Sequence, residues 1–398
     1  MDRPIRVLQI IDSLARAGAE LSLAALAPHL VAEGVDLHVA YLVERDGLRA
    51  ELEQAGVPVV SLAASGAGRG AWLSRTTALI EELRPAVVHT TLFEADLAGR
   101  RAAARLGVPC VSSLVNTTYD PGQASREGVS RVKLLAAQVA DAATARRVTR
   151  FHAVTEHVAK VMSRRLLVSR ARIEVIPRGR DAVVLGRRTA QRAAAARRRL
   201  GIAADAELIV AVGRQEPQKG LDVLVEALPR VLSQRPDVRV LVAGREGRAT
   251  PALTRLVHDL GLADTVTFLG MRDDVPDLLC AADVFAFPSL WEGAGGTLLE
   301  AMALECPIVS SALPTLLEVI DDSTAELVTP RSAEDLARGL VAALVDRRTA
   351  AARADAARAR FEERFTVEAS AHRMAQLYAG VAAGSRPAAQ PGQAHTRR

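Results

Sequence analysis

The chain has 398 residues, of which 49% are hydrophobic, 24% charged and 3% aromatic, and its formal net charge is +5. This balance is typical of a globular protein too long for one ordinary core, so two domains are expected. Scarce aromatic side chains argue against nucleic acid as a partner, and no stretch has the roughly 18 consecutive apolar residues of a membrane-spanning helix.

Short apolar runs alternate with helical patterns through the first half of the chain. Strands are predicted over Ile5–Ile11, Leu37–Leu42, Val57–Leu62, Ala86–Thr90 and Cys110–Leu114. Helices are predicted over Gly18–Ala32, Leu48–Ala55, Ala71–Leu83 and Ala95–Leu106, with a loop rich in Gly and Ser before Gly70. Strands that alternate with helices in this way form a parallel sheet with helices on both faces.

The second half repeats the alternation. Strands are predicted over Leu208–Val212, Val238–Ala243, Val266–Leu269, Val284–Phe287, Ile308–Ser310 and Ala325–Val328. Helices are predicted over Gly220–Gln234, Thr250–Leu260, Val275–Ala281, the segment from Leu298 to Met302, Glu334–Arg347, Thr349–Phe365 and Val367–Val381. The predicted fold class is therefore α/β, with two Rossmann-like, doubly wound domains that face each other across a cleft.

Composition and pattern suggest where the domains end. The N-terminal domain is predicted to cover residues 1–180 and the C-terminal domain residues 201–366, with an arginine-rich hinge or linker at residues 181–200. A last helix follows at residues 367–382. The tail, residues 383–398, is rich in Gly, Pro and Gln and is expected to be disordered.

The segment after the strand Val284–Phe287 is the most informative part of the chain. Its glycine-rich loop opens into a helix, and the amides at a helix start bind anions, which Gly295 and Gly296 would let approach the backbone. The carboxylates of Glu292 and Glu300 flank the loop and can accept hydrogen bonds from hydroxyl groups. Phosphate and polyol binding on one loop indicates a nucleotide sugar, although such a loop also occurs by chance in α/β proteins.

Two cations follow the strand Leu208–Val212. Arg214 can bind two phosphate oxygens with its forked guanidinium, and Lys219 can act as a point charge. Surface exposure is the usual fate of both residue types. The chain uses arginine almost throughout, however, and its lysines are confined to Lys133, Lys160 and Lys219. The pair is therefore predicted to neutralise a diphosphate.

These strings resemble motifs of the retaining GT-B glycosyltransferases, the large family 4 group. Residues 292–303 resemble the family's E-G-F-G-x-x-x-x-E-A-M-A motif, with Ala294 in place of the usual aromatic residue, and residues 213–220 resemble G-R-x-x-x-x-K-G. The resemblance extends from Ile5 to about Val381. It implies the GT-B fold, with the acceptor on the N-terminal domain, the donor on the C-terminal domain and a last helix that crosses back onto the N-terminal domain.

The resemblance also implies roles in the C-terminal domain. Glu292 would hold hydroxyl groups of the donor sugar and Glu300 those of the ribose. Arg214 and Lys219 would stabilise the charge of the departing diphosphate without a metal ion or cofactor. The loop and helix residues that would assist them are Gly295, Gly296, Thr297 and Leu298. Arg272 lies in a string that resembles the strand end where the base packs, and it would contact the base or form a surface salt bridge.

Weaker strings in the first half also resemble the family. Residues 17–20 resemble its G-G-x-E loop, which implies that Gly18 lies near the donor diphosphate and Glu20 on the acceptor side. His89 matches the first histidine of the family's H-x-H and is a candidate catalytic group, whereas Thr91 replaces the second. A histidine at a strand end is otherwise a structural hydrogen-bonding group. Asn116 would line the acceptor cleft or form a plain turn.

The string VIPRGRD at residues 175–181 resembles the family's V-I-P-N-G-V-D at the hinge between the domains. Arg178 stands where asparagine is usual, and Arg180 stands where an apolar residue is usual. These two side chains would reach a phosphate or would be exposed linker arginines.

Arginine is concentrated at residues 146–150, 164–172 and 178–199. These clusters indicate either solvated helix faces in an arginine-rich chain or contact with anionic lipid headgroups or phosphates. Acidic pairs such as Asp273 and Asp274 lack the spacing of a metal site, so no metal ion is predicted.

The N-terminal residues and the positions of the cysteines indicate the cellular compartment in which the protein is expected. Residues 1–12 lack the apolar core and cleavage site of a secretory signal. Cys110, Cys280 and Cys306 lie far apart, which fits buried positions in a reducing compartment. We therefore expect a cytoplasmic protein, either free or peripheral at the cytosolic face of the membrane.

The predicted activity is transfer of a sugar, such as a hexose, from a nucleoside-diphosphate sugar to an acceptor hydroxyl with retention of configuration. The acceptor would be a glycan, a lipid-linked compound or a small molecule in the synthesis of glycolipid, cell-envelope polysaccharide or a related glycoconjugate. Two alternatives stay open: a nucleotide-sugar epimerase of the same architecture, and a non-catalytic nucleotide-sugar-binding subunit. The presence of Glu292, Arg214 and Lys219 favours transfer.

Overall fold

A computed structural model describes residues 4–45, 47–63, 69–126 and 128–384. Most of the predicted loop before Gly70 and residues 385–398 of the predicted tail lie outside these ranges.

The first sheet consists of strands β1 (Ile5–Ile11), β2 (Val35–Tyr41), β3 (Val59–Ser61), β4 (Val87–Thr91), β5 (Cys110–Leu114), β6 (Arg150–Ala153) and β7 (Ile173–Val175). Its helices are α1 (Gly18–Ala32), α2 (Arg49–Gln54), α3 (Arg69–Leu83), α4 (Phe93–Leu106), α5 (Pro121–Arg126), α6 (Arg131–Ala145) and α7 (Glu156–Arg165). The strands are parallel in the order β3-β2-β1-β4-β5-β6-β7. The chain reverses its direction of travel across the sheet between β1 and β4, and a crevice forms there at the carboxyl ends.

The second sheet consists of strands β8 (Leu208–Val212), β9 (Arg239–Ala243), β10 (Val266–Gly270), β11 (Val284–Phe287), β12 (Ile308–Ser311) and β13 (Glu326–Val328). Its helices are α8 (Ala182–Leu185), α9 (Ala190–Arg199), α10 (Leu221–Leu232), α11 (Thr250–Asp259), α12 (Val275–Ala281), α13 (Gly296–Ala303), α14 (Ala333–Val345) and α15 (Arg347–Arg364), and α16 (Val367–Ala383) follows. The strands are parallel in the order β10-β9-β8-β11-β12-β13.

Each sheet is buried on both faces. In β1, Leu8 and Ile10 pack into one apolar cluster, whereas Val7 and Ile11 pack into another on the opposite face. Burial of each such side chain contributes on the order of 2 kcal/mol. Strands covered on both sides are apolar at successive positions, which is why the sequence predicts them, and the predicted α/β fold class with two facing domains is confirmed.

The arginine-rich segment 181–200 packs against the second sheet's helices. Helix α9 lies on α12, and Arg192 Nε donates to Asp277 Oδ1 at 2.6 Å. Arg197 Nη2 donates to Asp283 Oδ2 at the same distance. These arginines are therefore engaged within the protein and are not exposed linker charges.

The chain crosses between the two domains twice at one place. The Arg180 amide donates to the Phe365 carbonyl at 3.0 Å, and the Val367 amide donates to the Arg180 carbonyl at 3.1 Å. From there α16 returns to the first domain, where Met374 and Tyr378 are buried against β1 and α1. The predicted crossing helix is confirmed.

A second contact joins the domains at the side of the cleft. Both carboxylate oxygens of Glu318 accept hydrogen bonds from the first amides of α7, those of Glu156 and His157, each at 2.6 Å. A carboxylate at this position satisfies amides that have no partner within the helix and lies at the positive end of the helix dipole.

Gly220 gives the loop between β8 and α10 a conformation that other residues adopt at a cost. Its φ is +60°, and a Cβ at this position would lie 2.1 Å from the Pro288 carbonyl oxygen. We expect Gly220→Ala to lower the free energy of unfolding by more than about 2 kcal/mol, because strain and steric overlap add.

Gly261→Ala is the matched control, since φ there is +66° and no atom lies within 4 Å of the added Cβ. It should cost about 1 kcal/mol. Urea unfolding followed by circular dichroism compares the two variants. Equal losses of unfolding free energy in both would contradict the steric argument.

Candidate active site

The glycine-rich loop lies between β11 and α13 at the edge of the second sheet that faces the cleft. Gly295 has a φ of +64° and precedes α13 without a side chain to cap it. The Ser289 hydroxyl donates to Glu292 Oε1 at 3.0 Å, which holds the carboxylate over the loop. The amides of Gly296 and Thr297 begin the helix and form an anion-binding end.

Lys219 reaches this loop from the neighbouring strand end. Its aliphatic stem passes Gly213, where an added Cβ would lie 3.1 Å from the stem carbons. Lys219 Nζ is 2.5 Å from Glu292 Oε1 and 5.4 Å from the centre of the Phe287 ring. The structure therefore brings the predicted diphosphate cation and the predicted sugar-binding carboxylate together.

Glu20 faces the same region from the first domain. Burial raises the pKa of Glu20, and the Ser13 hydroxyl, which donates to Glu20 Oε1 at 3.3 Å, acts in the opposite direction. The positive charges of Arg214 and Arg178 also lower the pKa of this carboxyl. Gly18 lies beside Arg178, whose Nη1 would be 3.7 Å from a Cβ there. The charges of Glu20 from the first domain, Arg178 from the hinge and Arg214 from the second domain therefore lie close enough to act on one another.

Glu300 pairs with Arg180, for which the sequence analysis left two alternatives: contact with a phosphate or an exposed position in a linker. Arg180 Nε donates to Glu300 Oε1 at 2.9 Å, and the guanidinium lies against Gly296 at the start of α13. Leu298 is buried in the core beneath this helix turn, and Thr297 is partly exposed. The predicted ribose-binding carboxylate is therefore paired with an arginine of the hinge, which is buried and not an exposed linker residue.

The side chain of His89 lies in a buried network. Its Nδ1 is 2.7 Å from the Tyr378 hydroxyl, and its Nε2 is 2.8 Å from Ser113 Oγ. Ser113 Oγ also lies 2.9 Å from His152 Nδ1, and His152 Nε2 lies 2.9 Å from the Ile176 carbonyl oxygen. Both nitrogens of His89 have partners within the protein, which matches the structural alternative, and its role as a catalytic group stays a prediction. No local sequence pattern pointed to Tyr378 as a partner of His89, because the two residues are far apart along the chain.

Burial keeps both histidines neutral. It lowers the pKa of His89 to about 3, with His152 as a second cause, and lowers the pKa of His152 to about 4. The network joins α16 to β4, β5 and the hinge, so it fixes the crossing helix on the first domain.

Two further predicted contacts have partners of their own. Arg272 forms a paired salt bridge with Asp274, at 2.8 and 2.7 Å. Asn116 Oδ1 accepts from the Thr117 amide at 2.8 Å, and its backbone faces Gly293 across the cleft. These partners match the structural alternatives for both residues, and their roles toward base and acceptor stay predictions.

The described residues include no group of three or more His, Cys, Asp or Glu side chains placed to hold a metal ion. Lys219 pairs with Glu292, the Arg180 guanidinium lies against Gly296, and the charge of Glu292 acts on Arg178, so three protein cations lie near the glycine-rich loop.

Two family models match the chain. The model described as "Glycosyl transferase 4-like domain" matches residues 7–179, and the model described as "Glycosyl transferases group 1" matches residues 206–346. The first model thus covers nearly all of the first sheet, and the second covers the whole second sheet with the loops of Arg214, Lys219 and Glu292.

Curated proteins are similar over part of their length. The lipopolysaccharide core biosynthesis mannosyltransferase LpsB of Rhizobium meliloti (strain 1021) is 34% identical over 191 residues, 46% of this chain and 54% of that protein. The D-inositol 3-phosphate glycosyltransferase of Actinosynnema mirum is 34% identical over 276 residues, 64% of this chain and 63% of that protein. The chain spans about half the length of the curated relatives it matches.

Solved structures share the fold over nearly the whole chain. Anabaena HepE in complex with UDP and glucose superposes with a TM-score of 0.83 at 22% identity, covering 94% of this chain and 99% of that chain. WaaG, a glycosyltransferase involved in lipopolysaccharide biosynthesis, superposes with a TM-score of 0.74 at 20% identity, covering 94% and 100%. The predicted GT-B arrangement is thereby confirmed.

Because His89 and His152 are buried and neutral, we expect the free energy of unfolding to fall in acid. Unfolded histidine binds a proton near pH 6.5, whereas folded His89 and His152 do so only near pH 3 and 4. Stability contributed by the neutral side chains is therefore lost as the pH falls from about 6.5 toward 4, by about 1.4 kcal/mol per pH unit for each histidine. His89→Gln should be less stable at pH 7.5, and its loss between pH 6.5 and 4.5 should be shallower.

Urea unfolding at several pH values measures these slopes. His258→Gln is the control, because His258 is exposed (87% of its side chain) and should leave the slope unchanged. An acid slope in His89→Gln equal to that of the wild type would show that His89 is not held neutral in the fold.

Proposed function

Because the chain belongs to the group 1 glycosyltransferases of the GT-B fold, we propose that it transfers a sugar from a nucleoside-diphosphate sugar to an acceptor hydroxyl. The observation that carries the proposal is the meeting of Lys219 with Glu292 at the start of α13. A diphosphate requires cations and helix amides, and a sugar requires a carboxylate that accepts from its hydroxyls. HepE, which shares the fold, has been solved with UDP and glucose.

The proposed mechanism is electrostatic. Lys219, Arg214 and the first amides of α13 would stabilise the negative charge that grows on the departing diphosphate, without a metal ion. Glu292, which accepts from Lys219 in the structure, would accept from donor hydroxyls when Lys219 turns to the phosphates. We propose retention of configuration because these residues match the motif of retaining enzymes.

The acceptor would enter from the first domain. A pocket there lies between α1, the ends of β4 and β5, and α16. Its lining combines apolar side chains with polar ones that include Gln9, His89, Thr91 and Arg178. We propose that it receives part of a glycan, lipid-linked or small-molecule acceptor in glycoconjugate synthesis. The comparisons give no support to the epimerase alternative, and product analysis separates it and the non-catalytic alternative from transfer: a new glycoside, an epimerised donor, or no product.

Helix α6 supplies a surface that suits an anionic lipid bilayer. Val132, Leu135 and Val139 lie on one face of the helix and are 79%, 61% and 60% exposed. Arg131 and Lys133 are exposed beside this apolar face. A helix with an apolar face and flanking cations lies at the headgroup level of an anionic membrane.

The acidic residue of α6 does not oppose this contact. Asp141 is buried and forms a salt bridge with Arg100, so the exposed part of the helix carries positive charge. No helix in the described part of the chain is long and apolar enough to cross a bilayer. We therefore propose peripheral contact at the cytosolic face of the membrane through α6.

Substitution of the diphosphate cations tests the activity. We expect Lys219→Ala and Arg214→Ala each to lower kcat/KM at least about 30-fold, or about 2 kcal/mol in transition-state binding, because each removes a charge-assisted contact. Lys160→Ala is the control, since Lys160 is an exposed lysine on α7.

The donor is first found by a thermal-shift screen of UDP, GDP, ADP and TDP sugars, and transfer is then measured with and without a chelator. Turnover near that of the wild type in either cation variant would refute the diphosphate assignment. Loss of activity in the chelator would refute the metal-free mechanism, and an inverted anomeric centre in the product would refute retention.

Vesicle binding tests the α6 surface. Replacement of Val132, Leu135 and Val139 by Ser should weaken sedimentation with vesicles of anionic lipid at least about ten-fold, because the apolar face is removed. Binding of the wild type should weaken as salt is added.

The matched control is Val183→Ser with Val184→Ser, two exposed apolar residues on α8 in the other domain. Vesicle binding that survives the α6 changes would place the contact elsewhere. A wild-type protein that does not bind at low salt would exclude the membrane proposal.

A further inference from the structure

The side chain of Arg180 lies at the start of α13, where the diphosphate is proposed to bind. Its Nε donates to Glu300 Oε1 at 2.9 Å, and its Nη1 donates to the Gly179 carbonyl at 3.0 Å. Its Nη2 lies so close to Gly296 that an added Cβ there would be 2.1 Å away. The side chain is only 9% exposed.

A cation at a helix start requires an explanation. The amides at the start of α13 carry partial positive charge, so the helix dipole disfavours a guanidinium at Gly296. Gly295 has no side chain that could offset this charge. Glu300, one turn into the helix, supplies the compensating carboxylate. The start of α13 favours an anion. A phosphate there would interact favourably with both the helix amides and the Arg180 guanidinium, whereas the amides and the guanidinium repel each other.

Positive charge is in excess around this point. Burial, followed by the charge of Arg180, lowers the pKa of Arg178 to about 10, against the raising effect of Glu292 and Glu20. The cations that converge on the cleft are those of Arg178, Arg180, Arg214 and Lys219, and the carboxylates are those of Glu20, Glu292 and Glu300. An anionic ligand would balance the set.

Glu300 has a second proposed partner, the ribose of the donor. Its Oε1 accepts from Arg180, so a ribose hydroxyl must compete with a charged donor for this oxygen. Neutral hydroxyls displace an arginine from a carboxylate only when the arginine gains another anion, since the lost charge-assisted bond is the stronger one. The diphosphate on the same nucleotide is such an anion.

We infer that Arg180 is a third cation for the donor diphosphate, and that it exchanges Glu300 for phosphate oxygens as the ribose hydroxyls take its place on Glu300. The inference rests on the proposed function. Only the side chain has to turn, because the Arg180 amide and carbonyl are bonded to Phe365 and Val367 at the double crossing. Recognition of the ribose and of the diphosphate are thereby coupled through one arginine.

Arg180→Met tests this exchange, because it keeps an unbranched apolar stem and removes the charged guanidinium. Calorimetry compares a nucleoside with its diphosphate, using the base that the wild type binds. Affinity for the diphosphate should fall at least about ten-fold, as expected for a lost charged contact. Affinity for the nucleoside should stay the same or rise, because Glu300 is released.

Arg360→Met is the matched control: Arg360 forms an ion pair with Asp321 at 2.6 Å on the second domain's surface. It should leave both affinities unchanged. Diphosphate binding by Arg180→Met that equals or exceeds that of the wild type would overturn the inference, and so would equal losses for nucleoside and diphosphate.

Glu300→Gln provides an independent test if Arg180→Met does not fold. With Arg180 no longer neutralised, this variant should bind pyrophosphate several-fold more tightly than the wild type does. Unchanged or weaker pyrophosphate binding would overturn the inference. A wild type that binds no nucleoside diphosphate would instead refute the proposed function, so the two failures are distinguishable.

Discussion

The arrangement of the cleft depends on the double crossing, where the chain passes between the domains at Arg180 and again at Thr366. The two passages are bonded to each other as a parallel bridge, and Gly179 leaves room for the approach, since a Cβ there would lie 2.4 Å from the Thr366 carbonyl oxygen. Each Rossmann-like sheet can form its crevice alone, but neither holds a complete set of charges. The bridge fixes which loops of one sheet face which loops of the other.

The cations and carboxylates of the cleft pair with each other in the structure, and we propose that each exchanges its partner for a ligand group when the donor binds. Lys219 holds Glu292, and Arg180 holds Glu300, so each carboxylate is satisfied although it is largely buried. A buried carboxylate without a partner would cost several kcal/mol. In the proposed reaction both carboxylates turn to hydroxyl groups and both cations turn to phosphates. A nucleotide sugar offers these two kinds of group together.

The sequence predicts the sheets better than it predicts the contacts between distant segments. Most strands are apolar runs because both faces of each sheet are buried, and the loops of Lys219 and Glu292 stand out because they follow such runs. Strands β6 and β7 were not predicted, since they are short and lie among arginines. The pairing of Arg180 with Glu300 joins segments far apart in the chain, so no local pattern reveals it. The apolar face of α6 resembles a face that packs into a core, and only the fold shows it exposed. The roles of the individual site residues stay predictions.

Glu318 links the opening of the cleft to the start of α7, which it caps together with Thr155 of the first domain. When the domains separate, the amides of Glu156 and His157 lose their acceptor. Loss of a cap costs about 1 kcal/mol, which corresponds to roughly a five-fold change in the ratio of open to closed molecules. In the proposed reaction, exit of the spent nucleotide would therefore compete with these two hydrogen bonds. Substitution of Glu318 would then change the rate of domain opening without altering any residue proposed to contact the donor.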